Sequence, residues 1–462
     1  MNSRVVAATA AWALVALSFG AFAQTTINPG SSLSGDDPDG TYSAFGDAFG
    51  AGADTWGDWL FVGSPRETTF RLGSDFQDGA VYIYKRDAVG VFTFEQKLTM
   101  PGSSVAVGDR FGGGIAAENG WLFVGAANDQ NFPGLVDPRP GPDPDFFFAG
   151  QVHVYELNGN NWDFSQTLTA PEPGSAGAFG ARSQASHIAL NSLGNVAVIG
   201  ELNNFEDGVG QIHTYKLKAG SWSYEQTIDA PPGIDTFGDD LVFASDKYLV
   251  AGAGVGAGAD PSRQGVVFVY QSKGKGGEFF AEPVQTIAGP LYAVEDCGFP
   301  GSSFAGQGLE AGGNVVAVAD PCAGVDFAGT VSVYRLSEPD LLTLEQTIEG
   351  DEAFLFFGAN SFGARHAIAV SESGGRILIG SPLSPSGFLD DGADVRVYAF
   401  DGATWTHESN LTSLTPANGD LRSFGDTVFF IDDETAFVRE GNFLSPIVSG
   451  LKGQGLFYDL TP

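Results

Sequence analysis

The chain has 462 residues, 65 of them glycine, about twice the usual share of roughly 7%. Apolar residues make up 43% and aromatics 12%, which excludes disorder over most of the length, and two cysteines exclude a disulfide-dense scaffold or a thiolate metal cluster. Asp and Glu number 56 against 22 Lys and Arg, and the net charge of −34 excludes nucleic acid as a natural partner and disfavours an anionic membrane surface, while suiting solubility, a cationic partner or a loosely held divalent cation.

Residues 1–23 read as a secretory signal. Arg4 supplies the positive end, Val5 to Phe19 is an apolar stretch, and Ala21-Phe22-Ala23 is a small-residue cleavage site before Gln24. No cysteine follows that point to take a lipid, and no later apolar run reaches membrane-spanning length. The expected mature chain is therefore residues 24–462, secreted or periplasmic after cleavage following Ala23, with no membrane span.

The mature chain repeats itself. Phe-Gly recurs at Phe49-Gly50, Phe111-Gly112, Phe179-Gly180, Phe237-Gly238, Phe362-Gly363 and Phe424-Gly425, and Phe304 holds the place between the fourth and fifth. The spacings are 62, 68, 58, 67, 58 and 62, which makes seven units. Each unit carries four strand-like segments. A short one follows the Phe marker, as in Gly114-Ile115-Ala116-Ala117. A second reads Trp59-Leu60-Phe61-Val62-Gly63 or Trp121-Leu122-Phe123-Val124-Gly125, with later copies down to Thr435–Arg439. A third ends in Tyr84, Tyr155, Tyr215, Tyr270, Tyr334, Tyr398 or Tyr458. A fourth reads Phe94-Glu95-Gln96-Lys97-Leu98, Phe164-Ser165-Gln166-Thr167-Leu168 and their kin.

Polar turns such as Glu118-Asn119-Gly120 and Ser245-Asp246-Lys247 join the first two segments as hairpins. No stretch sustains a 3.6-residue period, so helix is not expected. A four-stranded sheet cannot bury both of its faces alone, whereas sheets stacked around an axis can. The pattern predicts an all-β fold, a seven-bladed β-propeller of four-stranded antiparallel blades, closed by the N-terminal strand completing the last blade. Gln24-Thr25-Thr26-Ile27-Asn28-Pro29 resembles Gln226 to Pro231, a fourth segment, so these six residues are the expected closing strand, chance similarity being the alternative.

In such a ring the second-to-third connections share a face with the blade-to-blade connections, and here they are the long ones. The longest, 126–149, holds Asp137, Asp143, Asp145, Phe146 and Phe147, and another holds Asp390, Asp391 and Asp394. Long loops on a rigid scaffold favour binding, so these residues are the candidate contacts. Cys297 and Cys322 both fall on that face, and in an exported protein a disulfide between them is expected, worth roughly 3–4 kcal/mol in the chain-entropy picture; free thiols are the alternative.

Catalytic signals are sparse. His153 and His213 occupy a slot held elsewhere by Tyr82, Phe268, Ser332, Arg396 and Leu456, which marks a structural position. His187 and His366 lie at matched first-strand positions and could approach the axis. No nucleophile elbow, zinc-protease helix or phosphate loop occurs. Paired carboxylates on inner strands stay open, because 56 acids make coincidences easy.

Asp109-Arg110-Phe111-Gly112, Trp121 to Ala126, Gly150 to Tyr155, Trp162 and Gln166-Thr167-Leu168 together resemble the FG-GAP repeat. The bacterial variety, similar to the β-propeller of integrin alpha subunits, is the nearer match, and the resemblance runs over nearly all of 24–462. It implies a seven-bladed propeller, and in integrin-type repeats calcium held by a D-x-D-x-D-G loop between the first and second strands. Those loops are absent here; Asp54-Thr55-Trp56-Gly57-Asp58 is too short. No cofactor is therefore assigned, calcium remaining open at the acidic loops. The expected protein is an exported, monomeric, non-enzymatic propeller that binds an extracellular protein or glycan through its long-loop face. The alternative is a secreted polysaccharide hydrolase or lyase with its site at the axial mouth.

Overall fold

The computed structural model describes residues 25–27, 30–34, 49–71, 74–101, 109–127, 149–172, 178–182, 185–201, 209–234, 236–254, 265–274, 277–290, 308–321, 323, 328–338, 341–350, 367–381, 394–413, 422–442 and 454–461. These residues form strands and turns, and they make a seven-bladed β-propeller. Blade one is Ala53–Trp56, Trp59–Ser64, Ala80–Arg86 and Phe92–Thr99. Blade two is Phe111–Glu118, Trp121–Ala126, Gln151–Asn158 and Asn161–Leu168. Blade three is Ile188–Leu190, Val196–Glu201, Gln211–Lys218 and Ser221–Asp229. Blade four is Phe237–Ser245, Tyr248–Ala253, Val266–Gln271 and the short Gln285–Ala288. Blade five is Leu309–Gly312, Val315–Asp320, Thr330–Ser337 and Leu341–Glu349. Blade six is Ile368–Val370, Arg376–Ser381, Asp394–Phe400 and Trp405–Leu411. Blade seven has Arg422–Asp432, Thr435–Asn442 and Gln454–Asp459 from the end of the chain.

The second strands of blades one to five are fully buried because both of their faces meet neighbouring blades, so they read as largely continuous apolar runs rather than alternating ones. The repeated aromatics have defined jobs. The marker Phe meets the third-strand Tyr of its own blade edge-on, as in Phe111–Tyr155 at 6.3 Å and Phe179–Tyr215 at 6.2 Å between ring centres. Outer-strand Trp162 stands edge-on to Phe61 (4.9 Å) and Trp59 (5.7 Å) of the preceding blade, and Trp222 repeats this with Phe123 and Trp121. Each such pair adds about 0.5–1.5 kcal/mol to its burial.

The repeated Gln joins one blade to the next. Gln166 donates Nε2 to the carbonyl of Trp222 (2.9 Å) and accepts from the Trp222 amide (2.8 Å). Gln96 does the same to Trp162, Gln285 to Leu342 and Gln346 to Trp405, while Gln226 accepts from Phe279. A β-bulge precedes each of these residues in four of the five blades. The register slips at Ile83/Tyr84, Val154/Tyr155, Thr214/Tyr215 and Val333/Tyr334, leaving Glu95, Ser165, Glu225 and Glu345 as the extra residues. The bulge re-aims the next side chain, the Gln, out of its own sheet.

Glycine is required where blades nearly touch. A Cβ on Gly63 would lie 2.0 Å from the Gly112 carbonyl oxygen, and one on Gly380 would lie 2.1 Å from that of Gly425. In blades two to four the residue before the marker Phe is left-handed, with φ of 56° at Arg110, 47° at Ala178 and 53° at Thr236.

The ring closes through its N-terminal residues, but not through the segment that the sequence indicates. Ser31–Ser34 is the fourth strand of blade seven, antiparallel to Gln454–Asp459, with Leu33 opposite Gly455. Thr25–Ile27, within the expected closing stretch Gln24–Pro29, pairs parallel to Trp405–Leu411 as a fifth strand on blade six. Short-range similarity does not distinguish one outer edge from another. Pairing decides, and Leu33 fills the place that Ile228 fills opposite Ile212 in blade three.

Candidate functional site: the axial channel and the two faces

Strand directions alternate, so the two faces differ. On one, inner hairpins turn in two residues at Gly57-Asp58, Asn119-Gly120, Asp246-Lys247, Gly313-Asn314 and Asp433-Glu434, and in five at 191–195 and 371–375. Several of these turns are tied to their neighbours. Asn119 donates to the Leu193 carbonyl (3.0 Å), Ser192 to Asp246 (3.0 Å), and the Ser373 amide to Asp433 (3.0 Å). On the other face the second and third strands are joined across long intervals, from Ser64 to Ala80, Ala126 to Gln151 and Ser381 to Asp394. The first interval carries a ribbon of its own, Thr68–Arg71 against Ser74–Gln77.

Most of the expected binding residues lie outside the described residues: Asp137, Asp143, Asp145, Phe146, Phe147, Asp390 and Asp391, together with Cys297, Cys322 and His366. Asp394 opens the third strand of blade six. Of the histidines, His153 and His213 are buried. His153 Nδ1 meets Thr167 Oγ1 at 3.0 Å, while His213 lies between Thr227 Oγ1 (2.9 Å) and the buried Glu201 carboxylate (2.8 Å). His187 is buried beside Gly200; the channel wall of blade three is Ile188, Ala189 and Leu190.

The inner strands of all seven blades enclose an axial cavity of about 320 Å³. Its wall is mostly small or apolar, with Asp54, Glu118, Asp240 and Glu310 as its acids. Asp54 and Glu310 share a level, each opposite the third residue of its second strand, Phe61 and Ala317. Asp54 also joins two blades: Oδ2 accepts the Ala117 amide of blade two at 2.8 Å and Oδ1 accepts Thr55 at 2.7 Å. It is partly exposed to the channel but set deep in the fold. Burial pushes its carboxyl up to about 7 against the lowering effect of the two amides, and Glu310 and Glu118 add to the rise. Burial likewise pushes Glu118 up to about 7, with Glu372 and Asp246 contributing from the turns of blades six and four. Among the described residues, no group of three His, Cys, Asp or Glu side chains is placed to hold a metal ion, and no helix is long and apolar enough to cross a membrane.

Sequence reasoning left this axial pair unnamed. Asp54 meets Glu118 only when blade two packs on blade one, and Glu310 only across the assembled ring, and their separations along the chain carry no local signal.

No protein-family model matches the chain, and no curated protein matches it. Solved structures share its shape distantly. A provisionally named 6-phosphogluconolactonase of Bacteroides fragilis is 10% identical over 79% of this chain and 85% of that one, with a TM-score of 0.48. A hypothetical selenium-binding protein of Sulfolobus tokodaii is 12% identical over 79% and 80%, with a TM-score of 0.46. A periplasmic gluconolactonase of Pseudomonas aeruginosa is 14% identical over 82% and 92%, with a TM-score of 0.43. At such identities no chemistry is carried across.

Proposed function

We propose that the protein is an exported, non-enzymatic recognition propeller of the FG-GAP kind, which binds an extracellular protein or glycan through its long-loop face. The contrast between the two faces carries this reading. Short hairpin turns of two to five residues, several tied to one another, close one side, while the other is built from long connections standing on a fully packed scaffold. The acidic loop residues Asp137, Asp143, Asp145, Asp390 and Asp391 and the aromatic pair Phe146-Phe147 are its contacts. The test is binding of the purified mature chain to a panel of glycans and extracellular proteins. A second protein in which residues 127–148 are replaced by a short Gly-Ser linker serves as comparison. Binding lost in that variant at unchanged melting temperature supports the reading; a blank panel rejects it.

A second reading has one observation in its favour. Asp54, held up to about 7 on the axis beside Glu310 and Glu118, has the proton affinity of a general acid working near neutral pH. In that reading the protein is a secreted polysaccharide hydrolase or lyase. Turnover of a polysaccharide that disappears in Asp54→Asn with retained fold would establish it; turnover unaffected by that change would remove it.

A further inference from the structure

Blade three holds a buried acid and imidazole in contact. Glu201 ends its second strand and His213 stands in its third, 6% and 2% exposed. His213 Nε2 meets Glu201 Oε2 at 2.8 Å, and Nδ1 meets Thr227 Oγ1 at 2.9 Å. Thr227 Oγ1 in turn meets the Tyr224 hydroxyl at 2.8 Å, and Tyr224 is 45% exposed on the outer strand. Four side chains thus form one line of hydrogen bonds from a buried carboxylate to solvent.

The repeat does not require this line. Blade two keeps His153 and Thr167, but Ala126 stands at the place of Glu201 and Phe164 at that of Tyr224. In the remaining blades Tyr82, Phe268, Ser332, Arg396 and Leu456 replace the imidazole. Around His213, among the described residues, its own strand brings Tyr215, whose hydroxyl donates to the Thr169 carbonyl of blade two at 2.7 Å. Burial, then the Glu201 charge and Tyr224, push that phenol up. The outer strand adds Glu225, paired with Lys218, and Asp229, which accepts from Gln211 at 2.7 Å. Phe179 stands 5.8 Å from the imidazole between ring centres, and blade two adds exposed Glu172 just past Thr169.

The line has a direction. An ionised carboxylate only accepts, so Nε2 carries the hydrogen and Nδ1 is left as an acceptor. Thr227 then donates to Nδ1 and Tyr224 donates to Thr227, so every donor points inward. A second proton on the imidazole reverses the outer half. Nδ1 becomes a donor to Thr227, the Thr227 hydrogen turns to the Tyr224 oxygen, and the Tyr224 O–H is released to solvent. The Tyr224 ring itself rests edge-on against Tyr215, 6.1 Å between centres, so the change is one of hydrogens and not of packing.

We propose that Glu201, His213, Thr227 and Tyr224 form a directional relay that carries the protonation of buried His213 out to the Tyr224 hydroxyl, making the rim of blade three a pH-sensitive hydrogen-bond switch. Imidazole is the side chain suited to this, because its charge changes in mildly acidic surroundings.

The experiment is nuclear magnetic resonance of the full mature chain, labelled with nitrogen-15 in histidine and carbon-13 at tyrosine Cζ, between about pH 5 and about pH 8. His213→Gln and Tyr224→Phe assign the two signals by their loss. At the alkaline end the tautomer with hydrogen on Nε2 should exceed the other by on the order of tenfold, and Glu201→Gln should bring the two near parity. On acidification both nitrogens should become protonated, and Tyr224 Cζ should move with the same midpoint. In Thr227→Val, which keeps the shape and removes the hydroxyl, His213 should still titrate while Tyr224 no longer follows. Hydrogen on Nδ1 at the alkaline end, no titration of His213 in this range, or a Tyr224 shift that persists without the Thr227 hydroxyl overturns the relay. Should Thr227→Val fail to fold, Thr227→Ala makes the same comparison.

Discussion

Arg439 donates from Nε to the carbonyl oxygen of Phe49 at 2.8 Å, and from Nη1 to Asp426, while nearly fully buried. It stands in a slot that is glycine in most other blades, at the one junction where neighbouring blades come from opposite ends of the chain. Gly50 accommodates it: a Cβ there would lie 3.1 Å from Arg439 Cδ. Arg439→Met should remove this guanidinium from the buried Asp426 carboxylate, at a cost of about 3–5 kcal/mol in urea denaturation. Arg439→Met combined with Asp426→Leu should recover much of that loss. A single variant within about 0.5 kcal/mol of wild type would show that the seam does not depend on this pair.

Gln166→Leu should cost about 1–3 kcal/mol, because the Trp222 amide and carbonyl both lose their partner in a largely buried setting. Gln166→Glu should be no milder, since a carboxylate cannot donate to that carbonyl. Matched thermal and urea unfolding of the two variants checks this. A neutral result for both would mean that water replaces the side chain at no cost.

The pH dependence follows from the channel acids. Asp54 and Glu118 rise from 3.8 and 4.5 to about 7 in the fold, so between those limits the native state binds protons that the unfolded chain does not. Their stabilising contribution is full below the unfolded values and is lost as pH rises through about 7. The melting temperature should therefore fall between about pH 5 and about pH 8, and Asp54→Asn should flatten that slope. An unchanged slope in the variant would place the titration elsewhere.

Truncation separates the two N-terminal strands. Removing residues 24–29 takes away the added strand of blade six and should lower the melting temperature only slightly. Removing residues 24–34 also strips the partner from Gln454–Asp459, exposing an unpaired edge, and should produce a larger drop with self-association on gel filtration. Equal effects of the two truncations would contradict the assignment of closure to Ser31–Ser34.

The repeat was open to sequence reading because each recurring residue answers a need that recurs in every blade. The marker Phe and the third-strand Tyr meet as rings, and the second strand is apolar on both sides. The Gln was visible as a pattern, but its purpose was not: it acts on a backbone some sixty residues ahead, through a bulge that period-two reasoning does not anticipate. The closing strand was misplaced by several residues because Gln24 to Pro29 copies the look of an outer strand, whereas registry on the Gln454–Asp459 edge depends on where the chain can reach. The axial acids escaped for the opposite reason. Each departs from the repeat at a single position, and their neighbours come from different blades.

The strand Ser31–Ser34 sets a timetable for folding. These residues are made long before their partner, Gln454–Asp459, which lies far along the chain. Six blades can assemble in order behind them while the opening segment waits. Joining strands so far apart in sequence carries a large loop-closure cost, and wherever that pairing is missing the seventh sheet offers its bare margin to any passing strand.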